Sequence, residues 1–231
     1  MHTPRRRFCT ALLGLAAGTA ILPAHAAASG SAAGSAANPQ AGSQYLVLAN
    51  PQPADTAGKV EVIEFFAYYC PHCHAFEPQL AAWVKNQGDG IAFKRVHVPR
   101  GDAVVPQQRL FYTLDAMGLL EQYHRKAFDA MHVEHLRLAS DEQVFDWAAR
   151  NGIDRAKFAD TYRSFGIGAR LRRAGAMVEA YGIDRWPMVV IDGRYATSPS
   201  HVNEGATEAQ QQAAALQVMD FLVAKAKADK R

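Results

Sequence analysis

The fold of this chain is decided by the stretch KVEVIEFFAYYCPHCHAFEPQLAAWVKNQG at residues 59–88. Its first part, Lys59–Ala67, is rich in β-branched and aromatic residues, which is typical of a buried strand. Pro71 suits the first turn of a helix. Apolar residues then recur at the four-residue spacing of one helix face, and these are Phe76, Leu80 and Val84. The stretch therefore predicts a strand that leads directly into a helix, with Cys70 at the junction.

The segments after this stretch continue the alternation of strands and helices. Ile91–Val98 predicts a second strand, and residues 101–181 have mostly helical patterns. Further along, Trp186–Ile191 predicts a strand, which a hairpin turn at Asp192–Gly193 joins to a short partner strand. Glu208–Lys225 predicts a closing helix with one apolar face. The predicted order is β-α-β, a long helical block, and then β-β-α.

Composition and charge exclude several classes of protein. Of the 231 residues, 49% are apolar or aromatic and 20% are charged, which is typical of a globular domain rather than a disordered chain. Lys and Arg number 25 against 22 Asp and Glu, and three of the basic residues, Arg5–Arg7, lie near the N-terminus. Without those three the charges balance at 22 each, so nothing favours a nucleic-acid partner or an anionic membrane.

The N-terminus has the organisation of a cleavable export signal. Arg5–Arg7 form a basic region, Phe8–Leu22 an apolar one, and Ala24-His25-Ala26 a small-x-small cleavage site. We therefore predict a signal peptide at residues 1–26, with a retained membrane anchor as the alternative. The three arginines followed by Phe8 also match part of a twin-arginine signal, so both export routes stay open. Residues 27–44, mostly Ala, Gly and Ser, predict a flexible linker.

The cysteines indicate redox chemistry. Cys9 lies in the predicted signal peptide, which leaves Cys70 and Cys73 with C-x-x-C spacing. In the oxidising compartment that an exported protein enters, such a pair can form a disulfide. A bridge across so short a loop adds little stability, so a reactive pair explains the motif better than a structural staple. A metal pair is the alternative, but there is no second cysteine pair to complete a four-cysteine zinc site, and we predict no metal.

Two landmarks resemble the DsbA family of periplasmic thiol oxidases. The segment FFAYYCPHC at Phe65–Cys73 resembles the active-site segment of that family, and Cys-Pro-His-Cys is its typical motif. Pro187, in Trp186-Pro187-Met188, resembles the proline that opens the third core strand there. In the family this proline is cis and faces the disulfide. The 117 positions between Cys70 and Pro187 exceed what a plain thioredoxin needs, and a helical insertion accounts for the difference.

The resemblance implies an α/β, thioredoxin-like fold (β-α-β / β-β-α) with a helical insertion. The thioredoxin-like domain would comprise residues 45–100 and 182–231, and the insertion residues 101–181. The implied function is a thiol:disulfide oxidase of the periplasm that donates the Cys70–Cys73 disulfide to reduced, unfolded, newly exported proteins. No cofactor is implied besides that disulfide. The resemblance also implies a quinone-linked membrane thiol oxidase as the partner for reoxidation, and the lack of a dimerisation module in residues 27–44 predicts a monomer.

The motif also suggests roles for the residues around the cysteines. The helix N-terminus favours a thiolate on Cys70, which we expect to be the attacked sulfur, while Cys73 is the buried resolving thiol. Pro71 and His72 are expected to tune the redox properties, His72 by adding a hydrogen-bond donor or a positive charge. The alternative is that His72 is only an exposed histidine at the start of the helix and has no tuning role.

Glu64 and Trp186 are the less certain members of the predicted site. Glu64 lies within an apolar run and matches a buried acid of the family, so it needs a partner, either Arg95 or Lys94 on the next strand. It would relay protons or tune Cys73, or else form an ion pair without a catalytic role. Trp186 departs from the small or β-branched residue that usually precedes the cis-proline. With Pro187 it is expected to bind substrate, although an indole that only packs inward is the alternative.

Other functions are compatible with the motif alone. Cys-Pro-His-Cys-His is also the C-x-x-C-H signature of c-type haem attachment, with His74 as one axial ligand and Met131 or His132 as candidates for the other. The strand before the motif and the β-β-α half after it are features that a haem protein does not need. A disulfide isomerase or a reductase of the same fold is the second alternative.

Overall fold

The computed structural model describes residues 35–56, 58–203 and 205–230. The predicted signal peptide at residues 1–26 lies outside the described residues, as do residues 27–34 of the linker predicted for residues 27–44. Within the described ranges, no helix is both long and apolar enough to cross a membrane.

A five-stranded sheet forms the centre of the molecule. Its strands are β1 (Leu46–Val47), β2 (Val60–Phe66), β3 (Ile91–His97), β4 (Met188–Ile191) and β5 (Tyr195–Thr197). They lie in the order β1-β5-β4-β2-β3, in which only β2 and β3 run parallel and the other neighbours are antiparallel. Both long strands agree with the sequence prediction. Strand β2, which pairs with β4 on one side and β3 on the other, is buried along its whole length because both faces of the sheet are covered, which explains its mostly apolar sequence.

Helices lie between and after these strands. The helix after β2 is α1 (Pro71–Gln87), and it ends at Gly88 as predicted. Five helices follow β3: α2 (Val105–Ala116), α3 (Leu120–His132), α4 (Asp141–Arg150), α5 (Arg155–Arg163) and α6 (Phe165–Tyr181). They account for the long helical pattern of residues 101–181. The chain closes with the short α7 (Pro199–Val202) and the long α8 (Glu208–Asp229).

Two hydrophobic cores lie on opposite faces of the sheet. Because successive side chains of a strand point to opposite faces, Ile63 and Phe65 of β2 enter one core while Val62 enters the other. The first core contains the buried residues of α2 to α6, among them Leu110, Phe128 and Trp147. The second contains buried residues of α1 and α8, among them Phe76, Leu80, Val218 and Leu222. The two cysteines belong to the first core and lie where both parts of the fold meet the end of β2.

The predicted linker is wrong in its last part. Residues 35–44 form hydrogen-bonded turns, and Pro39 and Gln44 are buried. The Thr197 hydroxyl of β5 donates to the backbone oxygen of Gln44 at 2.8 Å, and β1 then pairs with β5. A composition rich in Ala, Gly and Ser did not reveal this segment, because its order comes from contacts with a distant strand.

The strand that follows the active-site proline is shorter than predicted. It begins at Met188 and not at Trp186, because Pro187 has no N–H with which to join the ladder. The closing helix is longer than predicted and reaches Asp229. Its start is set by a capping box in which Thr207 and Gln210 satisfy each other's backbone N–H groups.

Candidate active site

Cys70 is the N-cap residue of α1, four positions beyond the buried end of β2 at Phe66. Its Sγ accepts a hydrogen bond from the backbone N–H of Cys73 at 3.3 Å, and its thiol lies 3.7 Å from the backbone oxygen of Trp186. Pro71 occupies the start of the helix, where the backbone N–H that proline lacks would have no partner within the helix. Both cysteines are free thiols; Cys70 is 5% exposed and Cys73 is fully buried. An incoming thiol therefore has access to Cys70 and none to Cys73.

The two sulfurs differ in charge as well as in access. The hydrogen bond from the Cys73 thiol is the main reason that the pKa of Cys70 falls to about 7. Burial opposes this shift, while the backbone N–H groups of Cys73 and His72 and the charge of His72 add to it. Burial, with the neighbouring Cys70 sulfur, raises the pKa of Cys73 well above its ordinary value. In the reduced protein the negative charge therefore lies on Cys70 and the proton on Cys73.

His72 lies in the first turn of α1 and is held by a residue from the other end of the chain. Its Nδ1 lies 2.6 Å from Oε1 of Glu208, the first residue of α8. This hydrogen bond raises the pKa of His72, although partial burial opposes the shift. The imidazole thus carries positive charge more readily than a free histidine would, next to the Cys70 thiolate.

Beneath the cysteines, Glu64 is buried against Arg95. The two residues face each other across the parallel pair β2–β3, and Arg95 Nε donates to Glu64 Oε2 at 2.9 Å. Arg95 Nη2 also donates to both oxygens of Glu77 on α1, at 2.9 Å each. Lys94, the other candidate partner, points away and binds Glu61 and Asp55. Of the two partners considered from the sequence, the structure selects Arg95.

This cluster contains one guanidinium for two buried carboxylates. Burial raises the pKa of Glu64 to about 8, and the attraction of Arg95 only partly offsets it. For Glu77, burial is outweighed by bonds from His124 and Arg95, which hold its pKa below the ordinary value. Near neutral pH Glu64 is therefore protonated, whereas Glu77 is ionised. The ionised form of Glu64 would raise the pKa of Cys73 further, which links this acid to the resolving thiol.

The peptide bond between Trp186 and Pro187 is cis, as the resemblance implied. The backbone oxygen of Trp186 faces the Cys70 sulfur, and its half-buried indole packs against the first core. There it meets the ring of Tyr69 edge-on at 6.3 Å and lies 5.6 Å below the guanidinium of Arg100. The backbone of Trp186 thus belongs to the reactive surface, while much of its ring is used in packing.

A small cavity of about 100 Å³ lies between the first turn of α1, the cis-proline turn and the start of α8. The cis-proline and the His72–Glu208 pair contribute to its wall, together with Trp186, Ser198 and Gln211. Its lining is therefore mixed, with apolar rings on one side and polar or charged groups on the other.

Comparison with known proteins assigns this arrangement to a family. A family model described as a DSBA-like thioredoxin domain matches residues 90–217. The thiol:disulfide interchange protein DsbA of Burkholderia cepacia is 41% identical over 197 residues, which cover 85% of this chain and 90% of that protein. This chain belongs to the DsbA family. The DsbA of Bordetella parapertussis is 37% identical over 209 residues, covering 90% and 97% of the two chains. The crystal structure of Pseudomonas aeruginosa DsbA, 33% identical, matches with a TM-score of 0.76 over 83% of this chain and 96% of that one.

As a DsbA family member, the chain is a thiol:disulfide oxidoreductase with a thioredoxin-like fold and a helical insertion. The fold and the enzyme class expected from the sequence are therefore confirmed. The roles of the individual site residues are tested by neither the family match nor the relatives and stay predictions.

Family membership and geometry both weaken the haem interpretation of the C-x-x-C-H match. Thioether attachment needs both sulfurs at the edge of a porphyrin, whereas Cys73 is fully buried. His74 Nε2 lies 2.9 Å from Asp129 Oδ1, and the His74 ring stacks on His132 at 4.8 Å. His132 Nε2 in turn donates to the backbone oxygen of Tyr68 at 2.8 Å. Both histidines considered as haem ligands thus have partners within the DsbA fold.

Three residues that lie close to this site were not predicted from the sequence. Glu208 lies 136 residues from its partner His72, and nothing local marks it as part of the site. Glu77 could have been found, because it lies one helical turn beyond Cys73 on the buried face of α1. His124 lies 3.5 Å from Glu77 and bonds the hydroxyl of Tyr68 at 3.0 Å, and its burial on α3 depends on how the insertion packs.

Proposed function

We propose that this DsbA family member is an oxidase, which donates the Cys70–Cys73 disulfide to reduced, newly exported polypeptides in the periplasm. The observation that carries the proposal is the asymmetry of the two sulfurs. A thiolate that is stabilised on Cys70 favours the reduced protein, and this makes the disulfide a strong oxidant. No cofactor beyond the disulfide is needed for the reaction.

The reaction proceeds in two exchanges. A client thiolate attacks the Cys70 sulfur, the Cys70–Cys73 bond breaks, and Cys73 leaves and takes up a proton. A second client thiolate then attacks the client sulfur of the mixed disulfide, and Cys70 leaves as the stabilised thiolate. The client loses two electrons and gains a disulfide, while the protein ends as a dithiol. Glu64 is a candidate to exchange the proton of Cys73, because it holds a proton near neutral pH and acts electrostatically on that thiol.

The chain needs an oxidant to regenerate its disulfide. We propose a quinone-linked membrane thiol oxidase as that partner, and a monomeric working state. Export is supported by the predicted signal peptide, so N-terminal sequencing of the mature protein should begin at Ala27. Pro187, the backbone of Trp186 and the cavity would receive the client, since the Trp186 backbone oxygen lies 3.7 Å from the Cys70 thiol and His72, Trp186 and Pro187 line the cavity.

The division of labour between the cysteines gives the first test. We expect the Cys73→Ala variant to accumulate mixed disulfides with exported proteins, because Cys70 is the accessible sulfur and nothing then resolves the adduct. Cys70→Ala should accumulate none, because Cys73 is buried. Non-reducing gels followed by mass spectrometry measure both, with the double variant as the background. Equal trapping by the two single variants would contradict the assignment.

The direction of transfer is tested by equilibrium with a glutathione buffer, in which free thiols are trapped and counted. An oxidising potential supports the oxidase. A strongly reducing potential would instead favour a thioredoxin-like reductase of the same fold.

A further inference from the structure

The first turn of α8 is tied to the active site. Thr207 and Gln210 form a capping box that defines where the helix begins. One turn further on, Gln212 accepts a hydrogen bond from Gln79 of α1 at 2.7 Å. The carboxylate of Glu208 is therefore held at the rim of the site, 2.6 Å from His72 Nδ1.

We propose that Glu208 is a positioning residue, which keeps His72 charged beside the Cys70 thiolate and so makes the protein a stronger oxidant near neutral pH. The inference rests on the oxidase function proposed above. Glu208 contacts neither sulfur nor client in this role, and acts only through the imidazole.

Charge explains why a carboxylate can help a thiolate in this arrangement. A free histidine loses most of its charge near neutral pH, but a hydrogen-bonded carboxylate stabilises the imidazolium. The charged groups that act on His72 are Glu208 of α8, which raises the His72 pKa, and the Cys70 thiolate, which raises it too. His72 in turn helps to lower the Cys70 pKa. By itself, the negative charge of Glu208 would disfavour a thiolate nearby, so any benefit must pass through His72.

The effect has a defined pH window. As pH rises through the pKa of His72, the imidazole loses its charge and the Cys70 thiolate loses that support. Without Glu208 this loss occurs at lower pH. Well below the ordinary histidine pKa of about 6.5, both forms of the protein carry the imidazolium, so the difference between them disappears. The contribution of Glu208 is therefore largest around neutral pH.

The test is a double-mutant cycle of Glu208→Gln and His72→Ala. The Cys70 pKa is followed through the ultraviolet absorbance of the thiolate, and the His72 pKa by NMR. We expect Glu208→Gln alone to lower the His72 pKa, raise the Cys70 pKa and make the protein less oxidising, by about twofold to fivefold in the glutathione equilibrium. In the His72→Ala background the same change should leave the Cys70 pKa unaltered or lower it. A residue with a merely structural role would not be expected to change the Cys70 pKa in opposite directions with and without His72.

Asp220→Asn supplies a matched control, because it removes a carboxylate from the same helix. Asp220 lies about three turns beyond Glu208 and accepts from Trp83 Nε1 at 2.8 Å, so neither the His72 pKa nor the Cys70 pKa should change. The inference is overturned if Glu208→Gln leaves the His72 pKa unchanged, or if it shifts the Cys70 pKa equally with and without His72. A reducing potential for the wild-type protein would instead overturn the oxidase function, whatever the variants do.

Discussion

The two active-site cysteines differ because they occupy different positions in one helical turn. Cys70, at the N-cap of α1, receives the backbone N–H of Cys73 and lies near the charge of His72. Cys73 lies within the turn and is surrounded by the core. The same turn thus stabilises a thiolate at one position and shields a thiol three residues later, and this difference supports the proposal that Cys70 is attacked and Cys73 resolves.

Glu64 should make the stability of the protein depend on pH. Its pKa is about 8 in the fold against an ordinary value of 4.5, so between these values the folded protein holds a proton that the unfolded chain has lost. Stability from this group is therefore present at low pH and is lost as pH rises toward 8. We expect Glu64→Gln to gain at least about 1.4 kcal/mol in unfolding free energy relative to wild type between about pH 5 and about pH 8.

Urea unfolding at the two pH values measures this difference. Both proteins should be kept in the disulfide form, so that the titration of Cys70 does not contribute. Parallel stability curves for the variant and the wild type would show that Glu64 is already ionised near neutral pH.

Among the secondary-structure elements, the turn before β4 joins the reactive surface to the first core. The backbone of Trp186 lies against Cys70, while its ring contacts Tyr69 and Arg100. One residue therefore has two roles that different substitutions can separate. A backbone contact survives replacement of the side chain, whereas ring packing does not.

Trp186→Val should cost about 1 to 2 kcal/mol of stability through the lost aromatic and cation–π contacts. The redox potential should change little, because the backbone oxygen near Cys70 remains. We expect the relative oxidation rates of different reduced peptides to shift, with aromatic segments affected most. A uniform change for every peptide would mean that the ring only packs. Phe165→Val removes an exposed aromatic ring from the start of α6 and serves as the control.

The turn between β4 and β5 requires glycine at residue 193. Gly193 has a φ of +65°, and a Cβ there would lie 1.9 Å from the backbone oxygen of Gln52. We expect Gly193→Ala to destabilise the fold by about 2 kcal/mol or more, through strain and the displaced segment. Gly175→Ala, within α6 where a Cβ meets nothing within 4 Å, should instead stabilise it by about 0.5 to 1 kcal/mol. Thermal unfolding of both variants provides the comparison.

For the molecule as a whole, redox state and stability are linked through Cys70. Its pKa is lowered from 9.0 to about 7 by folding, so the thiolate stabilises the reduced fold fully above pH 9 and loses this effect as pH falls through about 7. The disulfide of so short a loop offers little stabilisation in return. A protein built in this way is most stable after it has given up its disulfide.

We therefore expect the reduced protein to unfold at higher denaturant concentration than the oxidised protein. The difference in unfolding free energy should be about 1 to 3 kcal/mol above neutral pH and should shrink toward pH 6. Guanidinium titrations of both redox forms across this range measure it. An oxidised form that is the more stable at every pH would contradict the thiolate assignment.

Local sequence determined the central elements of this protein. The strand at residues 60–66, the helix from Pro71 and the N-cap position of Cys70 all follow from patterns that extend over a few residues. They were predictable because strand alternation, helix periodicity and capping depend on near neighbours in the chain. The cis state of Pro187 and the helical insertion were predictable only through the resemblance to a family.

Contacts between distant segments were decided by the tertiary structure alone. The parallel register of β2 and β3 selects Arg95 over Lys94 for Glu64, and a shift of one residue would exchange them. Docking of α8 beside α1 brings Glu208 to His72, and the Trp186 ring meets Tyr69 and Arg100, which lie more than 80 residues before it in the chain. Such pairings depend on how whole elements pack, and no pattern within either segment encodes the partner that it will meet.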